Sequence, residues 1–350
     1  MNIFDKIKAG KNILIAEAGV NHNGDVLIAK ELINVAKDSG ADYVKFQIFK
    51  SELLSTAEAK KAEYQKKDDK NESQKEMLEN LEFDFNVFKD LKNYADEIGI
   101  GFLASAFDNE SLEFLIDLKL DFIKIPSGEI NNVPYLERIS KERVELILST
   151  GMSTIDEISR ALEILLKGKK ITKDKIIILH CNTDYPTKIE DVNLRAIEEI
   201  KKNFGCRIGY SDHTLGNNVS MGAVCMGAKV IEKHITTNKN LSGPDHKASM
   251  DPNEFKKFVK DIRDTEIFLG ENRKVPSKSE LRNIKHARRY IVALKNIKKG
   301  EQFSKENITS KRTSSGISIE NWNDVIGKEA EQDFSKDSII KIPNGGFYED

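Results

Sequence analysis

Residues 207–234 read RIGYSDHTLGNNVSMGAVCMGAKVIEKH, and a short strand-like run near each end of this stretch leads to a histidine. The apolar and β-branched residues of these runs are typical of buried parallel strands. Barrel enzymes carry their functional side chains at the carboxyl ends of such strands. We therefore predict that His213 and His234 lie at the mouth of a barrel and share one divalent cation. The alternative for either residue alone is a core histidine bonded to a backbone carbonyl.

Similar strand-like runs recur along the chain, with helical patterns between them. The eight runs are ILIAE from Ile13, YVKFQ from Tyr43, GFLAS from Gly101, FIKIP from Phe122, ELILS from Glu145, IIILH from Ile176, RIGYS from Arg207 and VIEKH from Val230. Intervening segments such as 25–39, 109–118 and 154–166 repeat apolar residues at spacings of three and four, which predicts helices. Eight alternating units predict a closed (β/α)8 TIM barrel.

A different kind of sequence follows the barrel. From about residue 288, short β-like pieces are separated by the turn sequences KKGE, SKEN and TSSG. We predict a TIM-barrel catalytic domain over residues 1–270, a linker over 271–287 and a small β-rich domain over 288–350. The long gap between the second and third strands contains a polar stretch, 60–74, which we interpret as a loop over the site; a solvated surface insertion is the alternative.

The overall composition argues against several classes of function. The chain has 350 residues, with 55 Lys and Arg against 57 Asp and Glu, so its net charge of -2 offers no basic excess for nucleic acid. The three cysteines, Cys181, Cys206 and Cys225, lack metal-binding spacing, which favours a reducing, cytoplasmic setting. No apolar run approaches the roughly 20 residues of a membrane helix, so we expect neither a membrane segment nor a signal peptide.

Two strand-like runs contain a lysine, which is costly to bury unless an anion neutralises it. Lys45 lies in YVKFQ and Lys124 in FIKIP, so we predict an anionic ligand as their partner. The alternative is a lysine that extends outward along its aliphatic stem. In the loop STGMSTIDE after the fifth run, Ser153 and Asp156 are spaced like a capping box, and the unpaired amides of such a helix start favour phosphate.

Longer motifs resemble those of a known family. They are AEAGVNHNGD from Ala16, VKFQ from Val44, KIPSGE from Lys124, LSTGM from Leu148, HCNTDYPT from His180, GYSDHT from Gly209, EKH from Glu232 and SGPDHKAS from Ser242. Over the whole chain they resemble the bacterial nonulosonate synthases, the sialic-acid synthase family, whose last domain is an antifreeze-like (SAF) module. The resemblance implies a transferase that condenses phosphoenolpyruvate with an N-acylated mannosamine and water. It also implies dependence on Mn2+ or Mg2+ and a domain-swapped homodimer.

The resemblance assigns roles to individual residues. His213 and His234 match the metal ligands. Glu17 matches a position beside the metal and the reacting sugar, and Glu129 matches a position on the sugar side. We expect Glu129 to act as the general base and Glu17 to aid the metal-bound oxygen, although these roles could be exchanged. The positions that match phosphoenolpyruvate contacts are Lys45, Lys124, Ser127, Ser149, Asn182, Thr183 and Ser211. Those that match sugar contacts are Gln47, Tyr185, Asp245 and Arg312, the last reaching in from the neighbouring subunit on a loop that reads KRTSSG where many relatives read KRPGNG.

These inferences predict an N-acetylneuraminate synthase that acts in bacterial surface-glycan biosynthesis. The alternative is an N,N'-diacetyllegionaminate synthase that uses 2,4-diacetamido-2,4,6-trideoxymannose, and the motifs suit both sugars. A more distant alternative is another phosphoenolpyruvate-dependent keto-sugar-acid synthase, which would not need the small domain. A non-catalytic barrel scaffold is the remaining alternative, and it predicts no phosphate release with any aminosugar.

Overall fold

The computed structural model of the chain describes residues 3–8, 10–56, 59, 73–342 and 348–349, which form two compact units that divide after Gly270. The first unit is built on a closed barrel of eight parallel strands in chain order. The strands are β1 (Ile13–Gly19), β2 (Tyr43–Ile48), β3 (Gly101–Ala106), β4 (Ile123–Ile125), β5 (Leu146–Ser149), β6 (Ile176–Cys181), β7 (Arg207–Asp212) and β8 (Val230–His234). The predicted (β/α)8 fold is confirmed.

Helices connect these strands and surround the barrel. In the first unit they are α1 (Ile3–Lys8), α2 (Val26–Ser39), α3 (Ser51–Leu54), α4 (Gln74–Leu81), α5 (Phe85–Ile98), α6 (Asn109–Asp117), α7 (Val133–Ile139), α8 (Ile155–Lys167), α9 (Ala196–Phe204), α10 (Asn218–Cys225) and α11 (Pro252–Leu269). Aspartate side chains cap several of them; Asp25, for example, accepts a hydrogen bond from the Leu27 amide at the start of α2. The predicted helices at 25–39, 109–118 and 154–166 correspond to α2, α6 and α8.

The capping box predicted for Ser153 and Asp156 is wrong by one residue. The box forms between Thr154 and Glu157 at the start of α8, where each side chain bonds the backbone amide of the other residue. Met152 adopts a positive φ of 63°, which prolongs the turn before the helix and makes Thr154 the capping residue.

The barrel interior changes from apolar to polar along the strands. Every second residue of a strand points inward, and the lower part of the interior is filled by Ile13, Ile15, Tyr43, Leu103, Phe122, Ile147, Ile177, Leu179 and Val230. Helix α1 adds Ile3 and Ile7 to this cluster. Gly209 leaves room for it, since a Cβ there would lie 2.4 Å from Leu179 Cδ2. The apolar filling ends below the strand tips, where the inward positions become polar.

The second unit is small and rich in short strands. It contains α12 (Lys278–Ala287), β9 (Arg289–Ala293), β10 (Ile308–Arg312), β11 (Gly316–Ile317), α13 (Trp322–Val325) and β12 (Tyr348–Glu349). Strand β9 pairs antiparallel with β10, and β11 pairs antiparallel with β12. Its core is formed by Ile291, Ala293, Ile297, Phe303, Ile308, Ile317, Val325, Ala330, Phe334, Ile340 and Ile342. Ten residues of the segment interpreted as a linker therefore form helix α12.

Two further expectations from the sequence concern a loop over the site and membrane-spanning segments. The polar stretch interpreted as a loop over the site lies outside the described residues from 60 to 72 and stays a prediction. Within the described ranges, none of the helices has the length and apolar character needed to cross a membrane.

Candidate active site

A cavity of about 440 Å³ lies at the carboxyl ends of the barrel strands. Each of the eight strands contributes at least one lining residue. One side of the cavity, which we call the polar floor, is formed by Glu17, Lys45, Lys124, Ser149, Ser211, His213, Glu232 and His234. The other side, which we call the apolar wall, is formed by Val20, Phe49, Leu54, Met77, Leu78, Leu81 and Phe107.

Strand geometry explains why the floor is polar. In β8 the inward positions are Val230, Glu232 and His234, so the apolar filling gives way to a carboxylate and then to an imidazole within five residues. The two adjacent strand ends meet in register, because Glu17 of β1 pairs with His234 of β8. Lys45 lies next to Glu17 on the other side.

Four buried charged groups form the centre of the polar floor. The Lys45 ammonium lies 2.8 Å from Glu17 Oε2 and 3.7 Å from Glu232 Oε2, and the Lys124 ammonium lies 3.2 Å from Glu232 Oε2. The Ser211 hydroxyl donates to Glu232 Oε1 at 2.9 Å. Both lysines thus point into the barrel, and their partners there are carboxylates of this chain.

The charges of this cluster stabilise one another against the cost of burial. Burial alone raises the pKa of Glu232, but the ammonium groups of Lys124 and Lys45 and the Ser211 hydroxyl outweigh it and hold that pKa well below its usual range. Burial lowers the pKa of Lys124, whereas for Lys45 the two carboxylates outweigh burial and raise the pKa. For Glu17, by contrast, burial outweighs the nearby Lys45 ammonium and raises the pKa. An entering anion can bind by taking over contacts with the lysines.

The two histidines present neutral rings to the cavity. His213 Nδ1 donates to the carbonyl oxygen of Asn182 at 2.5 Å, so its Nε2 carries the lone pair. Burial lowers the pKa of His213 to about 4, and burial together with His213 lowers the pKa of His234 well below its ordinary value. The ring centroids lie 5.3 Å apart, and the buried Nδ1 of His234 has no hydrogen-bond partner among the described residues.

This arrangement fits a divalent cation. A neutral imidazole held by a backbone carbonyl through its second nitrogen is a common metal ligand, and the unpartnered His234 nitrogen is a second available donor. Asp245 Oδ2 lies 3.9 Å from that nitrogen. The described part of the chain holds no group of three or more His, Cys, Asp or Glu side chains arranged for a metal. Two histidine ligands occupy only part of the coordination sphere of a divalent cation, and the other positions would be available to water or substrate.

Asp245 lies on a loop that is anchored by the residues after β1. The Asn23 amide nitrogen donates to the carbonyl of Ser242 at 2.8 Å, and its amide oxygen lies 3.0 Å from Nε2 of the fully buried His246. His246 Nδ1 lies 2.7 Å from the Thr236 hydroxyl. These bonds hold the Asp245 carboxyl at the cavity, where burial and the charge of Glu17 raise its pKa to about 7.

Other predicted residues also reach the cavity. Gln47 donates to Glu17 Oε1 at 3.1 Å, and the Tyr185 ring lies 4.1 Å from the His213 ring between centroids. Ser127 accepts a hydrogen bond from the Gly151 amide at 3.0 Å. The predicted positions that line the cavity are Glu17, Lys45, Gln47, Lys124, Ser127, Ser149, Thr183, Tyr185, Ser211, His213, His234 and Asp245.

Three predicted site residues lie elsewhere. The Asn182 side chain donates to the carbonyl of Asp191 at 2.8 Å and lines a neighbouring cavity. Glu129, whose pKa is raised by burial, is not among the lining residues, and its carboxylate accepts a hydrogen bond from Asn132 at 2.5 Å. Arg312 belongs to the second unit, where it is exposed at the end of β10. Their predicted contacts with ligands stay predictions.

Several residues that line the cavity were not among the site residues predicted from the sequence. Glu232 is the most important, because it bonds both lysines. A signal for it was present, since Glu232 stands two positions before His234 and so shares its face of the strand. Ser105, whose buried hydroxyl has no partner within the described structure, stands at the same level of β3. The apolar wall gave no comparable signal, because its residues come from separate loops and helices.

Fold and cavity together define a barrel enzyme whose site combines buried lysines with a pair of metal-competent histidines. The chain matches the NeuB family over residues 32–274 and the SAF domain over residues 288–344. It is 48% identical to N,N'-diacetyllegionaminic acid synthase of Campylobacter jejuni, over 95% of this chain and 99% of that protein. It is 44% identical to the synthase of the same name from Legionella pneumophila, over 93% of this chain and 92% of that protein.

A solved structure is also similar. The crystal structure of N-acetylneuraminic acid (sialic acid) synthetase from Leptospira borgpetersenii matches with a TM-score of 0.68 at 33% identity, over 78% of this chain and 90% of that chain. The chain belongs to the NeuB family, which confirms the resemblance noted in its motifs. It is an enzyme of the phosphoenolpyruvate-dependent sugar-acid synthases, a transferase. The relatives support the predicted legionaminate alternative better than the N-acetylneuraminate activity that was the first expectation.

Proposed function

We propose that this enzyme condenses phosphoenolpyruvate with 2,4-diacetamido-2,4,6-trideoxymannose and water, giving N,N'-diacetyllegionaminate and phosphate. The observation that carries the proposal is the identity of 48% and 44% to two diacetyllegionaminic acid synthases that match nearly the whole chain. The similar sialic acid synthetase structure shares 33%. The sugar is the finer part of the proposal, whereas the class of reaction follows from the family.

The buried lysines support an assignment of the anionic substrate. We assign the phosphate and carboxylate of phosphoenolpyruvate to the side of the floor around Lys45 and Lys124, with Ser127, Ser149, Thr183 and Ser211 as hydroxyl donors. Charge-assisted hydrogen bonds to lysine are among the strongest that a protein forms with such groups. Glu232 keeps the lysines protonated and in place before the substrate arrives, and the substrate's own charge then shares their hydrogen bonds.

The two histidines support the assignment of a cation. Synthases of this family are generally metal-dependent, and we propose Mn2+ or Mg2+ at His213 and His234. When bound, the cation supplies Lewis acidity that polarises the aldehyde of the open-chain sugar. Asn182 contributes by fixing the His213 tautomer through its backbone carbonyl. Glu17 and Asp245, both buried beside this position, orient the sugar end that reacts.

The reaction needs a base for the attacking water. The C2=C3 π electrons of phosphoenolpyruvate form the bond to the aldehyde carbon, and the aldehyde oxygen takes up a proton to become a hydroxyl. Water adds at C2 and gives one proton to the base. The C2–O bond to phosphate then breaks as the new C2 hydroxyl loses its proton and becomes the keto group. We propose Glu129 as the general base and Glu17 as the group that aids the aldehyde oxygen of the sugar. The raised pKa of Glu129 suits a proton acceptor, because a base is most effective when its pKa approaches the working pH. To reach a water molecule in the cavity, the Glu129 carboxylate must break its hydrogen bond with Asn132.

We further propose a domain-swapped homodimer in which Arg312 of the small domain, taken as residues 288–350, serves the barrel of the other subunit. Mixing Arg312→Ala with His213→Ala subunits tests this. Random mixing makes half of the dimers mixed, each with one complete site of two, so about a quarter of the wild-type activity should return. A mixture no more active than its separate components would contradict the swap. We also infer a cytoplasmic setting, since the three cysteines are free.

A phosphate-release assay tests the sugar. The enzyme is offered phosphoenolpyruvate and Mn2+ with either N-acetylmannosamine or 2,4-diacetamido-2,4,6-trideoxymannose, and kcat/KM is measured for each. We expect the diacetamido sugar to be preferred by at least tenfold, which is the discrimination that one pocket contact of about 1.4 kcal/mol provides. A preference for N-acetylmannosamine would reinstate the sialic acid assignment. Phosphate release with neither sugar would overturn both.

A further inference from the structure

We infer that the apolar wall receives the C5 and C6 end of the sugar and selects a methyl group at C6 over a hydroxymethyl or phosphorylated carbon. The inference rests on the proposed function, because 2,4-diacetamido-2,4,6-trideoxymannose carries a methyl group at C6, whereas N-acetylmannosamine carries a hydroxymethyl group there. The residues that distinguish these two groups at C6 are those of the apolar wall.

The wall is a continuous apolar surface on one side of the cavity. Val20, Phe49 and Phe107 follow the ends of β1, β2 and β3, three neighbouring strands. Helices α3 and α4, which lie close together, cover them with Leu54, Met77, Leu78 and Leu81. These side chains pack as one cluster and also line the cavity. An apolar surface of this kind within a substrate pocket is best covered by apolar parts of the ligand.

The wall begins beside the metal-competent histidines. At the end of β1, the Cα of Gly19 passes so near the reaction centre that a Cβ there would lie 3.4 Å from Glu17 Oε1 and 3.6 Å from His234 Cε1. The next residue is Val20, the first member of the wall. Val20 lines the same cavity as His213 and His234, so a sugar whose aldehyde lies at the histidines can reach the apolar surface.

The polar floor determines which end of the sugar meets the wall. The aldehyde carbon must lie near His213 and His234, and phosphoenolpyruvate must approach it from the lysines of β2 and β4. The enol ester then lies on the polar floor over Lys45, Lys124, Ser149 and Ser211. Because the reacting ends of both substrates fill the floor, the remaining carbons of the sugar extend to the other side of the cavity, which is the apolar wall.

The charges near the wall disfavour a polar or phosphorylated C6. Among the described lining residues, the only lysines are Lys45 and Lys124, and both belong to the ionic cluster of the floor. Lys50, which precedes α3, lies 2.9 Å from Glu82 Oε1 and is therefore neutralised. A C6 phosphate or hydroxyl at the wall would meet mainly carbon atoms, which cannot replace its hydrogen bonds to water. The polar side chain that α4 contributes to the cavity is Gln74, a neutral amide whose Oε1 already accepts a hydrogen bond from the Ser55 hydroxyl.

Met77→Gln tests the wall with almost no change of side-chain size or helix propensity, and Met77→Leu is the matched apolar control. Each protein is assayed with phosphoenolpyruvate and Mn2+ against the diacetamido sugar, N-acetylmannosamine, its 6-deoxy analogue and its 6-phosphate. N-acetylmannosamine and its 6-deoxy analogue differ at C6 alone, so their ratio reports C6 without the C4 acetamido group. The readout is the ratio of kcat/KM values between sugars on one preparation, in which the folded fraction cancels. Leu54→Asn is a second variant in case Met77→Gln folds poorly.

We expect Met77→Gln to lower the preference for the 6-deoxy analogue over N-acetylmannosamine about tenfold, with KM for phosphoenolpyruvate unchanged, because a hydrophobic pocket discriminates against one hydroxyl by about a hundredfold at most. Met77→Leu should keep the wild-type ratio. If the wild type prefers the diacetamido sugar but neither polar variant alters that ratio, the wall does not select C6 and the inference fails while the proposed function stands. If the wild type prefers either C6-oxygenated sugar to the diacetamido sugar, both fail.

Discussion

The polar floor and the apolar wall occupy one cavity but are built in different ways. The floor consists of inward side chains at the ends of barrel strands, where the ladder of hydrogen bonds holds each position within a rigid frame. The wall consists of loop residues and of two short helices, α3 and α4, in the long connection between β2 and β3. We propose that the rigid floor carries out the condensation, whereas the wall, which belongs to an inserted segment, selects the sugar.

Removal of a metal-competent histidine from the polar floor should have the largest effect on activity. His213→Ala is expected to lower kcat/KM on the order of a thousandfold for every sugar, since Lewis acid catalysis contributes several kcal/mol and each tenfold corresponds to about 1.4 kcal/mol. Mn2+ binding, measured by calorimetry, should weaken in parallel. His286→Ala, at an exposed position of α12, is the control and should retain activity. If the His213 variant binds Mn2+ as tightly as the wild type, the cation is not held by His213.

Loss of the central carboxylate should destabilise the floor itself. Glu232→Gln leaves the Lys124 ammonium buried without its partner, so the free energy of unfolding should fall by about 3 kcal/mol, as for other broken buried pairs. Urea denaturation measures this. Phosphoenolpyruvate should restore more stability to the variant than to the wild type, because the bound anion supplies the missing negative charge.

An exposed ion pair provides the control for that measurement. Asp264→Asn removes a carboxylate that lies 2.5 Å from Lys260 on the surface of α11, and the expected loss is below about 1 kcal/mol. Equal losses in the Glu232 and Asp264 variants would mean that the ionic cluster of the floor contributes no more than a surface pair.

Substitution of Glu129 tests whether a residue outside the cavity lining takes part in the reaction. If it is the general base, Glu129→Gln should lower kcat about a hundredfold with little change in KM for phosphoenolpyruvate. The base acts in its ionised form and burial raises its pKa, so activity should fall as the pH falls through a pKa above the ordinary glutamate value. The variant should lose that acidic limb of the pH profile. Unchanged turnover, or an unaltered limb, would assign the base to another group.

The loop at the border between floor and wall should show the smallest effect. His246→Ala removes the bonds to Asn23 and Thr236 that hold the Asp245 loop, so KM for the sugar should rise about tenfold while KM for phosphoenolpyruvate stays the same. Thr265→Val, at a buried position within α11, controls for general loss of stability. Equal increases of both KM values would indicate that the loop serves the whole cavity rather than the sugar side.

The sequence by itself determined the barrel and much of the floor. Strand and helix patterns depend on local spacing, so all eight strand positions were predictable, and polar residues at strand ends identified His213, His234, Lys45 and Lys124 as site residues. The family motifs added Asp245 and Tyr185, which line the cavity. The residues at the strand ends converge on one cavity because the carboxyl ends of parallel strands meet at one face of every closed barrel. The roles assigned to these residues stay predictions.

Only the tertiary structure decided which groups touch. Glu232 and Lys124 are 108 residues apart in sequence, and closure of the barrel brings them into contact. The negative charge that the buried lysines require is therefore supplied by a carboxylate of the chain itself. Side-chain directions in loops turned Asn182 and Glu129 away from the cavity lining. The apolar wall likewise arises from segments that share no periodic pattern, because contact between distant loops and short helices depends on the folded backbone and not on local spacing.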